Sequence, residues 1–349
     1  MDTMDTPRDF LANLPRTPAG RPPETAEATK EHNNRGALRH LQGDLEGARA
    51  EYAAALALDP DNATALNNLG FLLAQEGRLA EAKEHLEQAL AIDPGRSMAL
   101  ANLGSVRVLQ GDIEGGHAAL ERAVAADPAN VQAWDNLARL HLAAGDPAGA
   151  ERCWRRAVDA QPGESRFWIE LGKVVAAAER LPEAVALLRE ATRLAPASAE
   201  AHAQLGTVLF LRQDLGSARE ELERAIGLAP ADIGARHQLA MVLVALGDHR
   251  AAAEALEAML RLDPGHLQAL QDLAVLALGE GRFDAALARL NAALAVDGGN
   301  ARTRYYRALA LEQTGRADEA EAVLRELAAA AEGPYGEKAG QWLAAHPAH

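Results

Sequence analysis

An all-α array of paired helices is the fold class this sequence predicts, and three observations predict it. A Pro recurs every 34 residues, at Pro60, Pro94, Pro128, Pro162, Pro196, Pro230 and Pro264, with Gly298 in the eighth slot. A fixed period of that length marks a stack of like structural units. Between successive Pro residues lie two stretches with apolar residues at helical spacing, joined by a short turn, as in residues 63–96. Small residues also recur in phase: Gly36, Gly70, Gly104, Ala138, Gly172, Gly206, Ala240, Ala274 and Ala308 in the first stretch, Ala48, Ala82, Gly116, Ala150, Ala184, Ala218, Ala252, Ala286 and Ala320 in the second. Four residues after the second row comes a large one: Tyr52, Leu86, Leu120, Trp154, Leu188, Leu222, Leu256, Leu290 and Leu324. Small beside large at helical spacing lets paired helices interdigitate.

Taken in order, residues 1–24 carry Pro7, Pro15, Pro18, Pro22 and Pro23, a density that precludes a continuous helix and predicts an extended or disordered leader. Within it, residues 9–14 offer one apolar turn, either a free tail or a segment that docks on the array in the same molecule or another. Residues 25–332 hold nine repeats. Each short turn carries Gly43, Gly77, Gly111, Gly145, Gly247, Gly281 or Gly315, suited to the left-handed conformation that ends a helix. Glu179 and Gln213 stand in that place in the fifth and sixth repeats, so those two turns are expected to be strained or differently shaped. The next residue is often Asp (Asp44, Asp112, Asp146, Asp214, Asp248), placed to cap the second helix. Arg35, with His32 and Arg39 on its face, replaces an apolar residue in the first repeat, as an array end needs where no repeat precedes it. Residues 333–349 are read as a closing helix and tail, with Trp342 and Leu343 inward.

Composition narrows the function. Lys and Arg number 35 against 50 Asp and Glu, a net charge of −15 that repels phosphate backbones and anionic lipid. Nucleic acid and membrane partners are therefore not expected. The lone Cys153, beside Trp154 on a core-facing helix, excludes an intramolecular disulfide and reads as a buried thiol. No apolar segment of signal or transmembrane type stands out, so the expectation is a soluble, cytoplasmic protein.

In one repeat Trp134, Leu137, Ala138, Ala150, Trp154, Ala157 and Pro162 follow the order bulky, Leu, small, Ala, bulky, Ala, Pro. With nine in-phase matches over about residues 25–332, the chain resembles the tetratricopeptide repeat family. The resemblance implies a right-handed superhelical solenoid of antiparallel helix pairs, first helices lining the concave face, with a C-terminal capping helix. It also implies a protein or extended-peptide partner.

No enzyme, cofactor or metal site is read from the chain: it has no phosphate-cradling Gly loop, no HExxH and no Gly-x-Ser-x-Gly element, and its His residues lack ligand spacing. What recurs instead is a row of amides, Asn34, Asn68, Asn102 and Asn136, on the flank of the first helix away from the core. An Asn side chain both donates and accepts, which suits a peptide main chain; the same row would also serve contacts between helices. Glu170, Gln204, Gln238, Asp272 and Tyr306 continue the row, so the groove is expected to change character along its length. Asn33, Asn67, Phe71, Met98, Arg139, Arg166 and Lys173 flank it, the last three forming a basic cluster that suits a carboxylate, although Asp135 and Glu170 lie at pairing distance on the same helices. No three successive repeats carry the Lys, Asn and Arg set of the family's carboxylate clamp. Two functions remain: a non-enzymatic scaffold holding an extended peptide on this groove, or a self-associating element, a homo-oligomer whose groove is filled by a terminal segment of a neighbouring copy.

Overall fold

The computed structural model describes residues 23–330 and 333–346, and all regular structure among them is α-helical. The helices are α1 (Pro23–Leu41), α2 (Leu45–Leu58), α3 (Ala63–Gln75), α4 (Leu79–Ile92), α5 (Ser97–Leu109), α6 (Ile113–Ala126), α7 (Val131–Ala143), α8 (Pro147–Ala160), α9 (Ser165–Ala177) and α10 (Leu181–Leu194). They continue as α11 (Ala199–Leu211), α12 (Leu215–Leu228), α13 (Ile233–Ala245), α14 (His249–Leu262), α15 (Leu267–Gly279), α16 (Phe283–Val296), α17 (Ala301–Gln313), α18 (Ala317–Ala330) and α19 (Gly333–Ala345). Odd-numbered helices α1 to α17 open the repeats, even-numbered ones close them, and α19 follows the last pair. The expected leader, including residues 9–14, lies outside the described residues except for its last two, Pro23 and Glu24, which open α1. Proline is harmless there because the first N–H of a helix has no intrahelical partner.

The chain forms two compact units, one through Val174 and one from Val175, the division falling inside α9. In the first, Tyr52, Leu66, Leu72, Leu86 and Leu103 share a core cluster. In the second, Leu287, Leu290, Leu311, Leu324 and Ala339 do so, with Trp342 and Leu343 of α19 partly buried against them.

The predicted seam is present in both units. A Cβ on Gly36 would lie 2.6 Å from the Tyr52 ring, and one on Gly70, Gly104 or Gly206 only 2.7–2.8 Å from Leu86, Leu120 or Leu222. Where Ala replaces Gly in this row, at Ala138, Ala240, Ala274 and Ala308, it is fully enclosed. Turn chemistry follows the sequence as well. Gly43 has φ 80°, and Glu179 and Gln213 are held at φ 59° and 66°, a region that clashes for side chains other than Gly. Asp44, Asp112, Asp146 and Asp248 accept the backbone N–H three residues on. Asp214 instead accepts the Ser217 hydroxyl at 2.9 Å.

Charged pairs lie on the first and ninth repeats. Glu51 receives His32 at 2.7 Å and Arg35 at 3.3 Å, and in the ninth repeat Arg304 pairs with Glu326 while Arg307 donates to Asn291 at 2.9 Å. Tyr52 is wholly enclosed, and its hydroxyl has no hydrogen-bond partner.

Two stability outcomes follow from these positions. Glu179→Gly and Gln213→Gly should each stabilise the fold by about 1 kcal/mol, read as a raised thermal midpoint by circular dichroism; a lowered midpoint would show that neither turn is strained. Tyr52→Phe removes an unsatisfied buried hydroxyl and should melt no lower than the wild type, whereas Tyr52→Ala should lose roughly 3–5 kcal/mol by leaving a cavity.

Candidate functional site

In the first unit α1, α3, α5 and α7 touch in succession, which brings the residues of the amide row and their neighbours together. Asn33 and Asn67 are buried, 5% and 4% exposed, between these helices. Asn34 is exposed, while Asn68, Asn102 and Asn136 are half-buried. The amides bond to one another. Asn102 Nδ2 donates to Asn67 Oδ1 at 2.9 Å, Asn67 Nδ2 to Asn68 Oδ1 at 3.2 Å, and Asn68 Nδ2 to Asn33 Oδ1 at 3.0 Å. One relay of four amides thus ties α1, α3 and α5. Asn136 continues the pattern in different chemistry: it donates to Ser105 Oγ at 2.9 Å and accepts from Gln132 at 3.1 Å. A carboxamide has two N–H groups and two acceptor lone pairs, so Asn68, Asn102 and Asn136 each keep an N–H beyond these bonds.

The flanking residues are also engaged. Phe71 lies 5.6 Å from the His40 ring, and the Met98 sulfur accepts from Asn130 at 3.6 Å. Asp135 is buried and accepts from Trp154 Nε1 at 2.8 Å and from Arg139 at 3.2 Å. Glu170 receives Lys173 at 3.0 Å and Arg139 at 4.0 Å. Arg166 lies 4.5 Å over the Phe167 ring. The basic cluster is thus largely neutralised by carboxylates of its own helices and their neighbours.

In the second unit Gln204 and Gln238 are half-buried on α11 and α13. The next place is ionic. Asp272 Oδ1 accepts from Arg302 at 2.9 Å and from Gln268 at 2.9 Å, and Oδ2 lies 3.0 Å from His237 Nε2. Gln271 accepts from Arg302 at 3.1 Å and donates to Thr303 at 2.7 Å. His237, Asp272 and Arg302 therefore tie α13, α15 and α17 where amides tie α1, α3 and α5. Sequence reading missed these partners. The signal was a 35-residue spacing, Asn33 to Asn68, Asn67 to Asn102 and His237 to Asp272, beside the 34-residue row.

Cys153 is buried, and burial pushes its thiol up to about 11, so it is protonated and unreactive at neutral pH. Among the described residues no group of three His, Cys, Asp or Glu is placed to hold a metal ion, and no helix is long and apolar enough to cross a membrane.

A family model described as the C-terminal domain of cilia and flagella-associated protein 70 matches residues 1–242, and the tetratricopeptide repeat model matches residues 243–293 and 277–339. The chain belongs to the tetratricopeptide repeat family. Such repeats serve as protein–protein interaction scaffolds. No curated protein matches the chain. Among solved structures, pilF of Pseudomonas aeruginosa is 19% identical with a TM-score of 0.54, over 61% of this chain and 97% of that one. The Cut9–Hcn1 hetero-tetramer of the APC/C is 17% identical with a TM-score of 0.54, over 76% of this chain and 52% of that one, so the match spans about half of it. These likenesses show the fold.

Asp272 makes the second unit's network sensitive to acid. Burial alone would raise its pKa, but hydrogen bonds from His237, Gln268 and Arg302 outweigh that and hold it below its ordinary value. A depressed carboxyl stabilises the fold above its unfolded pKa of about 3.9, and that contribution disappears as pH falls through the lower folded value. Asp272→Asn should be less stable than wild type by about 1–3 kcal/mol at neutral pH, and the difference should shrink below about pH 4. Thermal melts of both proteins from neutral to acid pH check this; a constant difference would refute it.

Proposed function

We propose that this protein is a non-enzymatic interaction scaffold that holds an extended peptide of a partner protein along the first-helix groove of its first unit. Asn34, Asn68, Asn102 and Asn136 meet the peptide main chain. The observation that carries this reading is the amide relay. Hydrogen bonds along the relay hold the Asn68 and Asn102 side chains, and those with Ser105 and Gln132 hold Asn136, so little rotamer freedom is lost at these three on binding, whereas exposed Asn34 stands outside the relay. The N–H that each half-buried Asn keeps is a donor for a peptide C=O, and its remaining lone pair can accept a peptide N–H. Main-chain contacts give affinity for any extended segment, and Phe71, Met98, Arg139, Arg166 and Lys173 beside the row select among side chains.

The test uses the full chain to select binders from a displayed library of random peptides. A selected peptide should lose about tenfold or more in affinity when its backbone N–H groups are methylated one at a time across the contact. It should lose comparable affinity for the Asn34→Ala/Asn68→Ala/Asn102→Ala/Asn136→Ala variant, whose helix content circular dichroism confirms. Because the row also ties repeats together, the methylated peptides test the contact independently of the variant's stability. Selected peptides that tolerate every methylation would sink the main-chain reading.

A further inference from the structure

Three of the chain's four tyrosines meet at one place. Tyr305 and Tyr306 are neighbours on α17, and Tyr335 meets them from the first turn of α19. Their ring centroids are 5.7 Å (Tyr305 to Tyr306), 5.7 Å (Tyr305 to Tyr335) and 6.1 Å (Tyr306 to Tyr335) apart, all tilted or edge-on. All three are half-buried, with Tyr305 and Tyr306 resting on the core of the second unit. Two cations border them: the Arg302 guanidinium lies 5.9 Å over the Tyr306 ring and the Lys338 ammonium 5.0 Å over the Tyr335 ring. Arg302 is held by Asp272 and Gln271. Lys338 is exposed, and no carboxylate among the described residues pairs with it.

In a chain with 4% aromatic residues and a net charge of −15, this is an aromatic island with one cation on its rim, Lys338, that no carboxylate among the described residues pairs. A tyrosine presents a flat apolar face and a hydroxyl with only two side-chain torsions to fix, which makes it an effective recognition residue. A cation over the ring adds a partner for carboxylates. The complementary ligand is an acidic stretch leading into aromatic, aliphatic and proline anchors.

Residues 2–15 of this chain, DTMDTPRDFLANLP, have that composition. Asp2, Asp5 and Asp9 outnumber Arg8, and Phe10, Leu11, Leu14 and Pro15 follow. We propose that this segment of a second copy docks on the Tyr305–Tyr306–Tyr335 patch, its aspartates facing Lys338 and its apolar residues lying against the rings. The contact joins residues 2–15 of one copy to α17 and α19 of another, so association grows with concentration. This site lies in the second unit and does not depend on the amide row of the first.

The test titrates a fluorescein-labelled peptide of residues 2–15 with the full chain, reading anisotropy at low and high salt, beside sedimentation velocity of the full chain over a range of concentrations. Saturable binding should weaken about tenfold or more with Tyr335→Ala, with Lys338→Glu, and with Phe10→Ala in the peptide, and high salt should weaken it further. The wild type should sediment faster as concentration rises, and Lys338→Glu should not. Lys338 is exposed, so that variant keeps its fold and separates loss of the site from loss of structure. The proposal is overturned if binding is absent, if a scrambled peptide binds equally well, or if Lys338→Glu binds like wild type. Sedimentation independent of concentration, or oligouridylate binding that the same variants abolish in the peptide's place, would overturn it too.

Discussion

The approach of the two helices within each repeat is the constraint on which the rest of this structure depends. A methyl group or a hydrogen is all that fits where the first helix meets the large residue of the second. A Cβ on Gly70 or Gly104 already lies within 2.8 Å of Leu86 or Leu120, and the Ala row of the second helix is fully enclosed. That contact fixes the rotation of every first helix. With 3.6 residues per turn, a residue two positions before the seam lies about 200° around the helix, on its far flank. Asn68 stands there relative to Gly70, and Asn102 relative to Gly104. Row and seam are therefore two faces of one geometric fact, and a helix that rotated to relieve the seam would also disperse the amides.

The same geometry places two unlike chemistries in equivalent positions. In the first unit the residue preceding the amide meets the amide of the following repeat at two places, Asn33 with Asn68 and Asn67 with Asn102, while Asn136 turns to Ser105. In the second unit His237 meets Asp272, and Arg302 adds its guanidinium. Neutral amide pairs neither titrate nor respond strongly to ionic strength, whereas a carboxylate held by a cation does both. The two cross-helix networks thus differ in their response to solution conditions although the backbones that carry them repeat.

Much of the fold was legible in the sequence because its causes are local and periodic. The 34-residue recurrence of Pro, the small and large rows, and the short-turn glycines each reflect one backbone or packing requirement repeated along the chain. Glu179 and Gln213 show how far this reaches: occupying a glycine place marks their turns as strained or differently shaped, and both hold the positive φ of the glycines they replace. The site was legible only in part. Asn34, Asn68, Asn102 and Asn136 were recognisable as a row, but a row read one helix at a time conceals the bonds between rungs. Those bonds depend on how far each first helix is displaced along its neighbour, which shifts the partner by one residue from the repeat period. The tyrosine cluster needed more. Tyr305 and Tyr306 are adjacent in sequence, yet Tyr335 joins them only because α19 packs back over the last pair, and no periodicity reports that.

The division of labour between affinity and selectivity follows from what the amides are. A carboxamide that meets main chain treats most residues alike, so a groove of amides alone would hold any extended segment. Discrimination has to come from side chains between the rungs, and in the first unit these are unequal. Phe71 and Met98 are apolar and half-buried near one end of the row, while Arg139, Lys173, Asp135 and Glu170 form a balanced ionic group near the other. A ligand carboxylate at Arg139 would meet its Nη groups, since Asp135 takes only Nε and is held from behind by the Trp154 indole. Glu170 competes weakly there, at 4.0 Å from Arg139 and shared with Lys173. An acidic side chain would therefore be accommodated at that end with little rearrangement. An apolar side chain gains at the Phe71 end by covering surface already half removed from water. In the peptide complex proposed above, an apolar residue toward α3 and an acidic one toward α7 would satisfy both ends at once, and the order of those two features, more than the amides, would set the peptide's direction in the groove.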